Sequence, residues 1–296
     1  MRVREIAYYI DQIDFKECIL TLRNGDIGNI NNYKKAVAIL ENIPIFKNDI
    51  KAILEDDLYS TAQDNLVYSN MASGQTIYRK SMTLLDKASL LLQLSNELYP
   101  PLSENTISIK LPNIKDMKLL YQAIKSFEQS FSFLVTDEAI NSTIVIENWE
   151  HGSFWLNLYA GSFLAVSVIS SAAWSAAVVA NKYQEVKIHE QYAKTLELKN
   201  EEMLAFTQAQ KKLIDVLVNN ETRAIIDKHM NASEDQERFE RVKRSIEMLA
   251  ELIRQGAEVN PALSAPEDVK NLFPDYSKLE QITSKIPQIE HKKNEE

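Results

Sequence analysis

Between Gly152 and Asn181 the chain carries no Asp, Glu, Lys, Arg or His. A run of that length has two stable solutions, a helix in lipid or a helix enclosed by protein. Its most helical part, GSFLAVSVISSAAWSAAVVANK, holds five serines between Ser162 and Ser175. Crossing about 30 Å of hydrocarbon takes roughly 20 apolar residues, which Gly161 to Ala180 just supplies. Its seven strongly apolar residues favour insertion by roughly 2 to 4 kcal/mol, and the serines oppose it. As a lone span the segment is marginal.

On a helical wheel Ser167, Ser170, Ser171 and Ser175 fall on one side with Trp174. Ala165, Ile169, Ala172, Ala173 and Ala176 fall opposite. Small alanines let helices approach, and hydroxyls facing a lumen escape the cost of lying in lipid. The pattern predicts a membrane helix in an oligomer, four copies being the favoured number, with Ser167, Ser171 and Ser175 lining a pore and Trp174 at a constriction. The alternative is a soluble or peripheral oligomeric scaffold in which 161–180 is a buried interface helix. Lys182, Lys187 and Lys194 follow the run and Glu147 and Glu150 precede it. The positive-inside rule therefore points the C-terminal side at the cytoplasm.

The rest of the sequence predicts a mainly α chain. Six glycines and eight prolines among 296 residues are few for a turn-rich β protein. Residues 1–101 read as a helical region, with helices over 33–40, 50–58 and 75–98. The turn signals Asn24-Gly25-Asp26 and Ala72-Ser73-Gly74 separate them, ECILTL (17–22) is a possible strand, and Pro100-Pro101 ends the last helix. Residues 102–160 read as a small α/β module in the order strand, helix, strand, strand. TISIKL alternates as a half-buried strand. A helix capped at Asn113 turns Met117, Leu120, Ile124, Phe127 and Phe131 to one side, and TIVIENW and SFWLNLY flank a turn at 150–152.

After the pore helix of 161–181, residues 182–256 predict long charged helices. Tyr192, Leu196, Lys199, Met203, Phe206, Gln210, Leu213 and Leu217 form a heptad-like seam, a possible coiled coil. Ser233 and Gln236 open a further helix that Gly256 closes. Residues 257–296 read as linker and tail.

Chemistry has few footholds. No phosphate-loop, dinucleotide, HExxH or nucleophile-elbow motif occurs, the four histidines are scattered, and the single Cys18 excludes multi-cysteine metal sites. These absences predict no enzyme, no cofactor and no metal, and a site assembled from scattered residues is the third alternative. The net charge of -9 leaves only local room for a polyanion. Arg238, Arg241 and Arg244 recur every three residues beside Phe239, a candidate ligand-binding stripe. The interleaved Glu237, Glu240 and Glu247 make a salt-bridged solvent face the ordinary reading.

The order of parts, with the hairpin IENWEHGSFWLNLY and the run SAAWSAAVVANKYQE, resembles the transmembrane effector of the Hailong anti-phage system, which is encoded beside a nucleotidyltransferase. The resemblance in detail spans Ile144 to Glu185. It implies an oligomeric channel in the bacterial inner membrane with a large cytoplasmic portion, acting in abortive infection. A nucleotide or short oligonucleotide made by the partner enzyme would bind the cytoplasmic part and control the pore. No motif carries a family binding residue onto this chain.

Overall fold

The computed structural model describes residues 1–100, 102–150, 154–195, 200–230 and 235–286, excluding the side chains of 190, 192–195, 200–204 and 206. The chain divides into two compact units, Met1–Pro101 and Leu102–Glu296.

The first unit is mostly helical: α1 (Val3–Ile10), α2 (Ile30–Glu41), α3 (Lys47–Leu54), α4 (Asp57–Ser60) and α5 (Met71–Leu98). It also contains a three-stranded antiparallel sheet, β1 (Thr21–Arg23), β2 (Asp26–Gly28) and β3 (Asn65–Val67), of which only the first was anticipated. Three-residue strands are too short for alternation to register in a sequence. The β1–β2 turn uses Asn24 at φ 50 and Gly25 at φ 86, the positive pair that a two-residue hairpin requires. The expected helix over 50–58 breaks in two, because the Asp56 side chain accepts from the Leu58 amide and starts a new helix. Conversely Ala72-Ser73-Gly74 is no turn. Asn70 caps α5 at Ala72, and Gly74 sits where a Cβ would press on the Tyr68 ring at 3.1 Å.

The second unit is built on a four-stranded antiparallel sheet in the order β5-β6-β4-β7, from β4 (Thr106–Lys110), β5 (Val145–Glu150), β6 (Trp155–Tyr159) and β7 (Glu258–Pro261). Its helices are α6 (Met117–Val135), α7 (Phe163–Thr195), α8 (Asn200–His229), α9 (Gln236–Arg254) and the short α10 (Glu267–Lys270). Ile107, Ile109, Leu156, Leu158 and Val259 are buried members of a core they share with the helices. On the polar side Ser108 donates to Asn157 Oδ1 at 2.6 Å, and Asn157 donates to Asn148 and Glu150.

Several sequence boundaries move. Asp116, not Asn113, caps α6, accepting from the Lys118 and Leu119 amides, and Met117 is left exposed. Asp235 caps α9, while Ser233 lies outside the described residues. Within the stretch expected to be linker and tail, β7 pairs with β4 from Ile107↔Pro261 to Lys110↔Glu258, which joins 258–261 to the same sheet as the α/β module, while 287–296 lie outside the described residues. Pro261 is tolerated there because β7 is an edge strand. Of the heptad-like seam, the members from Tyr192 to Phe206 lie outside the described side chains. Beyond them Leu213 is exposed, and Ile214, Val218 and Ile225 carry the buried stripe of α8 instead.

Helix α7 is the centre of this unit. It packs against α9, α8 and α6. Ala165, Val166, Ile169, Ala172, Ala173, Ala176, Ala177, Val179 and Ala180 are fully enclosed. The serine side is largely covered as well, with Ser167, Ser170 and Ser175 buried and Ser171 and Trp174 half-buried. Gly161 starts the helix from φ +79, a conformation that L side chains resist.

Candidate functional site at helix α7

Three separated stretches meet beside α7 around a cavity of about 250 Å³. Ser171, Trp174 and Ser175 come from α7, Glu221, Ile225 and Lys228 from α8, and Leu272, Lys285 and Ile286 from the C-terminal stretch. The 3-10 turn Tyr276–Gln281 packs on α7 and delivers that stretch.

Two of the three serines assigned to a lumen, Ser171 and Ser175, bond to side chains of α8, and the third, Ser167, is buried. Ser175 Oγ donates to Glu221 Oε2 at 2.6 Å, and Ser284 Oγ donates to the other carboxylate oxygen at 2.5 Å. Glu221 is 3% exposed, so these two hydroxyls replace the water that a buried carboxylate would otherwise need. Ser171 Oγ lies 2.9 Å from His229 Nε2. Ser170, which shares their side of the wheel, bonds back to the Ser167 carbonyl at 2.9 Å, a local satisfaction common for hydroxyls in helices. Trp174, the residue expected at a constriction, is held by the C-terminal stretch. Its indole N–H donates to the Thr283 carbonyl at 2.9 Å, and Lys285 Nζ stands 3.4 Å over its ring.

Electrostatically the site is two-layered. The buried carboxylate of Glu221 lies within, while Lys228 and Lys285 stand exposed at the mouth. Burial, and then the Lys228 charge, hold the Lys285 ammonium below its ordinary pKa. Burial, again with Lys228, lowers the His229 imidazole to about 4. His229 is therefore neutral at pH 7 and shares a single proton-bearing contact with Ser171.

The arginine stripe goes elsewhere. Arg238 Nε donates to Asp137 Oδ2 at 2.7 Å, and Arg241 reaches the same oxygen at 3.4 Å. Asp137 is 1% exposed at the end of α6, so this is an ion pair fastening α9 to α6. Arg244 lies 6.0 Å over the Phe133 ring, also on α6. The period-three spacing reflects one helix face turned to a neighbour, with Asp137 as a carboxylate that Arg238 and Arg241 share.

Sequence reasoning found Ser171, Trp174 and Ser175 but not Glu221, Lys228 or Lys285. No spacing links those three, because α8 and the C-terminal stretch reach α7 through tertiary packing alone. Among the described residues, no group of three His, Cys, Asp or Glu side chains is placed to hold a metal ion.

Among the described residues one helix, Phe163–His189, is long and apolar enough to cross a membrane, at 27 residues with an 18-residue window of mean hydropathy 1.9, and 72% of that window is buried within the chain. No family model matches the chain, and no solved structure matches it. It is similar over 98% of its length to the uncharacterized protein YqaP of Bacillus subtilis (strain 168), at 26% identity over 318 aligned residues that cover all of that protein.

Proposed function

We propose that this protein is a small-molecule-binding module, soluble or peripheral to a membrane, in which α7 is the central helix and the α7–α8–C-terminal cavity takes the ligand. The observation that carries the reading is the use of the serine side of α7. Ser175 serves a buried carboxylate and Ser171 a histidine, both on α8. Such partners are built for a packed helix, and a lumen would leave them unnecessary.

Magnitudes favour the same state. Insertion of α7 gains roughly 2 to 4 kcal/mol. The core it shares with α8 and α9 buries Ile214, Val218, Ile225, Val242, Ile246, Leu249 and Ile253. Re-exposing even four such side chains costs roughly 6 to 12 kcal/mol at about 1.5 to 3 each. Without something else to cover α8 and α9, the helix stays where it is.

A second reading is favoured by the length and hydropathy of Phe163–His189. In it, several copies at a bacterial inner membrane, with a large cytoplasmic portion, release α7 into lipid as a pore. A nucleotide from a partner nucleotidyltransferase would set the balance, as the resemblance to anti-phage effectors implies. Carbonate extraction of membranes separates the two. The first reading expects the full chain in the supernatant and no conductance in planar bilayers. Retention in the pellet, together with ligand-dependent conductance, would establish the second.

A further inference from the structure

We propose that the mouth of the α7–α8 cavity is a phosphate site, gripped by Lys228 and Lys285, and that its occupancy clamps the C-terminal stretch onto α7. The inference deepens the binding-module reading and rests on it.

Two ammonium groups from distant parts of the chain line one cavity. Among the described residues neither forms an ion pair with a carboxylate. The groups that touch Lys285 are neutral, the Trp174 ring and the Asn271 carbonyl at 3.4 Å, and the charge that acts on it is the like one of Lys228. Glu221 lies in the same cavity, but both of its oxygens are occupied by serine hydroxyls. Like charges held together in this way repel, and an anion between them turns repulsion into attraction on both sides. Lysines act as point charges with freely turning donors, and a phosphate monoester, with a charge of about -1.5 to -2 at pH 7, can answer both ammonium groups where a carboxylate would answer one.

The rest of the cavity sets the rest of the ligand. Trp174, Ile225 and Leu272 offer apolar walls in about 250 Å³, room for one ring or a short chain. The ligand class is therefore a small phosphate monoester with an apolar or planar remainder. Lys285 rides on the segment whose Thr283 carbonyl accepts from Trp174 and whose Ser284 donates to Glu221. A phosphate bridging Lys285 to Lys228 would tie that segment to α8 a second time, beside the Ser284–Glu221 hydrogen bond.

The test uses the full chain, purified without detergent, titrated with phenyl phosphate and with inorganic phosphate against potassium chloride at matched ionic strength. Tryptophan emission and thermal unfolding are followed together. Saturable binding, a raised unfolding midpoint and an emission change lost in Trp174→Phe are expected. Lys228→Met and Lys285→Met should each weaken binding roughly ten- to hundredfold, with arginine at either position retaining most of it. A folded, detergent-free protein that responds no differently to phosphate than to chloride would overturn the site, as would methionine variants that bind like the parent. Recovery of the chain only in detergent would instead remove the binding-module reading beneath it.

Discussion

Replacing Ser175 with alanine removes one hydroxyl from the middle of α7, and the consequence depends on what that hydroxyl does. In the packed unit it donates at 2.6 Å to Glu221, which is 3% exposed. Ser284 holds the other oxygen, so the variant leaves one carboxylate oxygen facing a methyl group with no donor. Stranding half of a buried charged acceptor costs roughly 1.5 to 3 kcal/mol. For a unit of this size that lowers the unfolding midpoint by roughly 3 to 12 °C. Calorimetry or urea unfolding of detergent-free protein measures it. The companion variant Glu221→Gln removes the charge, so Ser175→Ala in that background should cost less, giving a coupling of about 1 kcal/mol or more. If Ser175→Ala changes stability by less than about 0.5 kcal/mol in both backgrounds, the hydroxyl is not serving Glu221, and a lumenal role regains its force.

Three further perturbations follow from the same geometry. Asp137→Ala leaves Arg238 and Arg241 without their shared, 1% exposed carboxylate and should cost roughly 3 to 5 kcal/mol by urea unfolding; an effect near zero would mean the pair is a solvated surface contact. His229, held near pKa 4 in the fold against an ordinary 6.5, binds fewer protons folded than unfolded between those values. Its contribution is complete above pH 6.5 and lost as pH falls toward 4, roughly 2 kcal/mol after allowance for partial exposure, and His229→Gln should flatten that limb of the pH–stability curve. Gly161→Ala places a Cβ 2.4 Å from Ser142 Oγ at φ +79 and should destabilise by about 1 to 3 kcal/mol in chemical denaturation, with Ser142→Ala relieving only the steric part.

What the sequence disclosed was set by range. Periodicity located α5, α6, α7 and α9 because their apolar residues recur over many turns, and alternation located β4, β5 and β6. It missed β2, β3 and β7, whose three or four residues gain their strand character from neighbours. The serines of α7 were visible, but their purpose was not. A hydroxyl on an apolar helix looks the same whether it meets water in a pore or a carboxylate from α8. The arginines of α9 posed the same ambiguity. Their spacing marks a shared face, and only the approach of α6 reveals Asp137 as its partner. Lys228 and Lys285 left no trace at all, since exposed lysines on a helix and near a terminus are ordinary until the fold brings them to one cavity.

Hydrogen exchange over residues 165–180, on full-length protein prepared without detergent or lipid, addresses the packing of α7 most directly. Enclosure by the chain predicts that these amides exchange only through global unfolding, as slowly as those of α9. Rapid exchange there while α9 stays protected, or a chain that dissolves only within a detergent belt, would contradict it.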